Sequence, residues 1–224
     1  MTRGQRKPST RGMLLHLIKT NGSMSAAQLA EQLGMTEMGV RRYLTQYVEE
    51  GVLETEQVRQ PMGRPLQMYH LSSLGDERFP KQYHQLVLDL LKEVEKLPVP
   101  DEDAAAKGSD RIGQLFAGRQ ETLLDKYMPH MKGKSLDERI QELGNIQDSN
   151  GYMVETEQQQ DGTWLLHEYN CPIAQVADRY EEPCACELAL FQQLLQADVE
   201  RTECLAKQGR RCTYRIKSQK ENES

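Results

Sequence analysis

The chain has 224 residues, 38% hydrophobic and 28% charged, with a formal net charge of −6. That composition suits a soluble protein of one large or two small domains. There is no run of about 18 apolar residues that would span a membrane, and the basic start "MTRGQRKPSTRG" lacks the apolar core of a signal peptide. A cytoplasmic protein is therefore expected, and its five cysteines are expected to serve packing or ligation rather than structural disulfides.

Charge is unevenly spread. Residues 1–75 carry nine Lys/Arg against six Glu, a balance of +3, which leaves −9 for residues 76–224. A basic front on an acidic body is what a DNA-reading domain joined to a sensor or dimerisation domain would show.

Three helices are expected first. "STRGMLLHLIKTNG" has a cap at Ser9 or Thr10, an apolar stripe of Leu14, Leu15, Leu17 and Ile18, and a stop at Asn21-Gly22. "SMSAAQLAEQLGM" starts at a Ser cap, buries Ala26, Leu29, Ala30 and Leu33, and turns at Gly34. "TEMGVRRYLTQYVEEG" starts at a Thr cap and puts Val40, Leu44, Tyr47 and Val48 on one face. Small Ala30, turning Gly34 and sealing Val40 form a helix-turn-helix pattern. The face opposite the core presents Thr36, Glu37, Met38, Arg41, Arg42, Thr45 and Gln46, side chains suited to base edges and phosphate.

"VLETEQVRQPMGRPLQMYHLS" then reads as strands Val52–Arg59 and Leu66–Leu71 joined by "QPMGRP". A hairpin directly after a helix-turn-helix is a winged helix. Arg59 and Arg64 fall at the wing tip, within reach of phosphate or a minor groove. At this point the chain resembles the DeoR/ArsR-like winged-helix repressors. "GVRRYL" with "GRPLQMYHLSSLGDERFPKQYHQL" is similar to the SufR-type subgroup, with Gly63-Arg64-Pro65, Tyr69, Leu71, Gly75, Phe79-Pro80 and Tyr83 in the family's spacing.

Next, "FPKQYHQLVLDLLKEVEKL" carries Tyr83, Leu86, Val87, Leu90, Leu91, Val94 and Leu97 on a helical stripe. It is read as core or as a dimerisation helix, since half-sites repeat about one helical turn apart and favour two-fold dimers. "PVPDEDAAAKGSD" reads as a linker, and "RIGQLFAGRQETLLDKYMPHM" and "SLDERIQELGNIQDSNG" as two helices. "GYMVETEQQQDGTWLLHEYNC" reads as a hairpin turning at Asp161-Gly162. "PCACELALFQQLLQ" is read as a helix with Glu187 in its first turn and Leu188, Phe191, Leu194 and Leu195 inward. "DVERTECLAKQGRRCTYRI" is a second hairpin turning near Gln208-Gly209, and "KSQKENES" is expected to be disordered. The expected fold is α+β: a winged helix-turn-helix domain (1–78), a helical connector and dimerisation region (79–134), a cysteine-containing α+β domain (135–217) and a tail (218–224).

Cys171 follows a strand, Cys184 opens a helix and Cys212 lies in the last strand. Twelve residues separate the first two and twenty-seven the next two. Structural zinc sites take paired ligands from C-x₂₋₄-C knuckles. Cys184-Ala-Cys186 is too closely spaced for one, and on a helix its thiols point about 200° apart. Scattered thiols fit packing, an iron–sulfur cluster or an unusual metal site. The pattern "NCP", then a cysteine heading a helix, then "GRRCTYRI" is similar to the cluster-binding domain of SufR-type repressors. That resemblance implies a [2Fe-2S] or [4Fe-4S] cluster on Cys171, Cys184 and Cys212, and control of iron–sulfur assembly genes. The fourth ligand is expected to be His167, on the same strand face as Cys171 by period two, with Cys204, opposite Cys212 in the hairpin, as its rival. Cys186 is expected in the core. No phosphate loop, Ser/His/Asp set or catalytic carboxylate pair stands out, so the chain reads as a regulator bound to double-stranded operator DNA rather than an enzyme.

Overall fold

A computed structural model describes residues 9–96 and 108–218. The chain divides into two compact units after Phe79.

In the first unit, Ser9 caps α1 (Thr10–Asn21), its hydroxyl accepting from the Gly12 amide. A short strand β1 (Ser23–Ser25) leads into α2 (Ala26–Leu33). Ser25 ends that strand and forms a reciprocal capping box with Gln28. Gly34 takes the left-handed conformation (φ 62°) that closes α2. Thr36 then caps α3 (Glu37–Glu49). Hairpin strands β2 (Leu53–Val58) and β3 (Leu66–Leu71) follow, in antiparallel register from Leu53–Leu71 to Val58–Leu66. β1 pairs on the far side of β3, giving the order β1-β3-β2. Leu14, Ile18, Leu29, Val40, Leu44 and Val52 are fully buried at the centre of this unit. Val48, expected inward, is 38% exposed, since it lies about 100° round the helix from the buried Tyr47.

A short helix α4 (Ser73–Asp76) closes the unit. Ser72 Oγ donates to the carbonyls of Gly51 (2.6 Å) and Val52 (3.1 Å) and accepts from the Gly75 amide (3.0 Å). A Cβ on Gly75 would stand 2.2 Å from the Val52 carbonyl oxygen, so only glycine fits this corner.

The second unit starts with α5 (Tyr83–Lys96), α6 (Gly108–Met131) and α7 (Leu136–Ser149). The region expected as a separate connector folds as part of this unit: Leu123, Leu124, Tyr127 and Met131 of α6 join its main core. Of the α5 stripe, Leu86 is buried, whereas Val87 and Val94 are about half exposed. Leu97 and most of the expected linker and tail lie outside the described residues.

Strands β4 (Val154–Gln158) and β5 (Trp164–Glu168) form one hairpin. A turn of helix α8 (Ala174–Ala177) and then α9 (Glu182–Leu195) follow. β6 (Asp198–Glu203) and β7 (Cys212–Lys217) form the second hairpin, joined through a 3₁₀ turn at Leu205–Lys207. Gln208, at φ 64°, turns the chain where Gln208-Gly209 is expected to. The sheet order is β4-β5-β7-β6. Its inner face packs Leu166, Tyr214 and Ile216 with Ile140 and Leu143 of α7 and Phe191 and Leu194 of α9. Mixed α+β architecture is therefore observed in both units.

Candidate functional site

The first candidate surface is the outer face of α3. Thr36, Glu37, Met38, Arg41, Arg42, Thr45 and Gln46 are all exposed, as are Arg59 and Arg64 on the β2–β3 loop. Core residues Val40, Leu44 and Tyr47 fix the rotation of the helix, so that face points outward by geometry. Met38 is 83% exposed and Met62, at the wing tip, 92%. Such unburied apolar side chains can contact a thymine methyl or a sugar. Arg41 is already engaged: Nε and Nη2 both donate to Glu37 Oε1, at 2.9 and 2.6 Å. Arg42 has no ion pair among the described residues.

The second candidate surface is the buried neighbourhood of the cysteines, all five of which are free thiols. Cys171 sits in a turn pinned from several sides. The neighbouring Asn170 donates through Nδ2 to the carbonyls of Pro80 (3.0 Å) and Gly151 (2.7 Å), and its amide donates to the Tyr152 carbonyl. The Gln82 amide donates to the Pro172 carbonyl (3.0 Å). Cys184 lies in the first turn of α9, held by Arg201 Nη1 donating to its carbonyl oxygen (2.8 Å). Cys212 opens β7, and its Sγ accepts from the Leu205 amide at 3.4 Å. Cys204 stands between β6 and the 3₁₀ turn, buried with Cys212 in the main core. Cys184 is within hydrogen-bonding reach of Cys204, Cys212 feels the charge of Cys204, and Cys171 feels that of Cys184. Cys184, Cys204 and Cys212 thus belong to the main core. Cys171 packs with Cys186 against the smaller cluster of Leu86, Phe116 and Ile173, and is in electrostatic reach of Cys184.

His167 is not among them. β5 ends at Glu168, so the period-two argument does not carry across the turn to Cys171. In register, Glu168 faces Cys212 and His167 faces Thr213, which puts His167 on the opposite side of the sheet from the thiols. There Thr213 Oγ1 spends its proton on Glu203 Oε2 (3.3 Å), so His167 Nδ1 donates to Thr213 Oγ1 (3.1 Å). Nε2 lies 3.7 Å from Glu157. Burial, with Arg211 nearby, pushes the imidazole below its ordinary value against the pull of Glu157 and Glu155.

Two carboxyls that the sequence reading did not assign to the site accompany the thiols. Glu168 is buried and Glu187 half-buried; desolvation pushes Glu168 well above the ordinary carboxylate range and raises Glu187, the Glu168 value being raised further by Glu187. Gln147 Nε2 donates to Glu168 (2.9 Å), and Tyr214 OH donates to Glu187 (2.5 Å). Burial and these carboxyls likewise push Cys171, Cys184 and Cys212 up, Cys184 to about 12. The signal for Glu187 was in its spacing from Phe191 and Leu194, four and seven residues on, which places it on the inward stripe. Glu168 shares the parity of Leu166.

The donor set suits an iron–sulfur cluster in kind. Cluster irons are held by cysteine thiolates, and hydrogen bonds to the sulfurs tune them; here the Leu205 and Ile173 amides point at Cys212 and Cys171. Among the described residues, no group of three or more His, Cys, Asp or Glu side chains stands close enough to hold a metal ion.

Residues 9–54 match the family of winged helix-turn-helix DNA-binding domains. The chain carries a winged helix-turn-helix DNA-binding domain. The matched stretch runs from the cap of α1 into β2, and the hairpin built by β2 and β3 supplies the wing. Such a domain points to a regulator acting on double-stranded DNA. No curated protein and no solved structure matches the chain, and no helix among the described residues is long and apolar enough to cross a membrane.

Proposed function

We propose that the chain is a dimeric transcriptional repressor of the SufR type, in which an iron–sulfur cluster held by the second unit sets operator affinity. The observation that supports this reading is the electrostatic linkage of Cys171, Cys184, Cys204 and Cys212, three of them in one core, in a protein whose first unit is a DNA-binding domain. Cys204 replaces His167 as the fourth ligand, because it lies on the thiol side of the sheet and His167 does not. When bound, the cluster would supply sensitivity to oxidants and to iron supply.

The chain's own residues do the rest. Asn170 holds the Cys171 turn, Arg201 ties the start of α9 to β6, and the Leu205 amide steadies Cys212. Ligation at four segments would lock those segments together, and loss of ligation would loosen them and weaken DNA binding. In the first unit, α3 would enter the major groove while Arg59 and Arg64 reach the flanking backbone. The genes under control would be those of iron–sulfur assembly or related iron and redox functions.

Anaerobic purification tests the reading. Visible absorbance with bound iron and sulfide is expected, lost in Cys204→Ala and retained in His167→Ala. A colourless protein without iron or sulfide overturns it, and stoichiometric zinc in its place assigns the thiols to a zinc regulator.

A further inference from the structure

Cys184 and Cys204 also line a surface pocket of about 220 Å³, together with Ala177, Asp178, Arg201 and Lys207. Cys171 and Cys212 do not line it. At its rim Lys207 and Glu181 form an ion pair at 3.1 Å with both side chains largely in solvent. Two of the four gathered thiols therefore meet solvent through one opening, and those same two are within hydrogen-bonding reach of each other.

We propose that Cys184 and Cys204 are an oxidisable pair that closes to a disulfide when the metal-free chain meets a hydroperoxide. The pocket admits a molecule as small as hydrogen peroxide, and it leads to no other cysteine. Cys204 sulfur attacks the peroxide, the O–O bond breaks, and water leaves a sulfenic acid on Cys204. The Cys184 sulfur then attacks that sulfur, the S–O bond breaks, and the Cys184 proton leaves with the hydroxide as a second water. Two thiols and one hydrogen peroxide give one disulfide and two waters. Both cysteines line the one pocket, with Arg201 beside them, so a sulfenic acid on one forms next to the thiol of the other.

The closed pair would tie the first turn of α9 to the turn after β6 and take two thiols out of ligation. The inference concerns the metal-free thiols and holds whether or not the chain carries a cluster.

The test uses the full-length, reduced, chelator-treated protein and stoichiometric hydrogen peroxide, read by intact mass and by a non-reduced peptide map. The expected result is loss of two hydrogens and a link between the peptide holding Cys204 and that holding Cys184. Cys186→Ser, which leaves Cys184 as the sole thiol of its peptide, should keep the link. Cys204→Ser should abolish it, and dithiothreitol should reverse it. Free, alkylatable Cys184 and Cys204 after peroxide, a bond to Cys212 instead, or direct passage of Cys204 to sulfinic acid would each overturn the proposal. The cluster reading is judged separately, by iron and sulfide content.

Discussion

Glu37 and Arg41 are locked together on the exposed face of α3, both Arg41 donors resting on a single carboxylate oxygen of Glu37. On a DNA-reading surface this pair is a competitor: every phosphate or base that Arg41 takes must displace Glu37. Glu37→Gln should therefore tighten DNA binding a few-fold, matching the ~0.2–1 kcal/mol of an exposed ion pair. Fluorescence anisotropy with operator DNA at two salt concentrations reads this directly; unchanged or weaker binding would show that Arg41 does not reach DNA.

Arg42 has no such partner among the described residues. Arg42→Ala should lose affinity by about 1–3 kcal/mol if it reads a base. If it neutralises a phosphate, the loss should be uniform across sequences, with a salt dependence shallower by about one unit. Binding equal to the parent protein on every sequence would remove α3 from the interface.

Gly75 sets the corner where α4 meets β2. A methyl there collides with the Val52 carbonyl, and backbone cannot swing aside as a side chain can. Gly75→Ala should cost about 1–3 kcal/mol in chemical denaturation, mostly in the first unit. Gly75 belongs to the first unit and the thiols to the second, so thiol reactivity should be unaffected; a variant of parental stability would mean that the corner opens freely.

The buried carboxyls make stability depend on pH. Burial raises Glu187 and Glu168 above 4.5 in the folded chain, so the folded state holds protons that the unfolded state has released. Their contribution is complete below 4.5 and is lost as pH rises through the folded values. Glu187→Gln, which keeps a neutral hydrogen-bonding group of the same shape, should flatten that decline. Denaturation midpoints of the metal-free protein across pH 5–9, falling as steeply in the variant as in the parent, would contradict it.

His167 works in the opposite direction. Burial lowers it below 6.5, so the unfolded chain binds a proton that the folded one refuses, and stability is lost as pH falls from 6.5 towards the folded value. Glu155, Glu157 and Arg211 face the ring and set how far that fall extends. His167→Gln should remove this acid-side loss; an unchanged acid limb would show that other groups cause it.

The winged domain was legible because its signals are local. Ser25, Gly34 and Thr36 each perform at one position the cap or turn that their chemistry dictates. β1 escaped notice because three residues are too few to show a period of two. The thiol site was legible only in part. Cys171, Cys184 and Cys212 announce themselves by residue type, but which sheet face His167 takes depends on where β5 stops, and Glu168 ends it before parity can reach Cys171. Glu187 was read as a helix-start acid because acids are common there, although α9 begins at Glu182 and leaves Glu187 in its second turn. For α5, periodicity located the stripe but not what covers it: Leu86 is buried while Val87, one position along, is half exposed.

The strand order β4-β5-β7-β6 puts β7, the last of the four to be made, between two strands synthesised earlier. On a growing chain, β5 and β6 emerge with a gap between them that only residues 212–217 fill. At about 5–20 residues per second, Cys171 and Cys184 spend seconds outside the ribosome before Cys212 arrives. The sheet and the thiol set are thus completed by the same six-residue strand, and a nascent chain cannot collect all four thiols before its fold has closed.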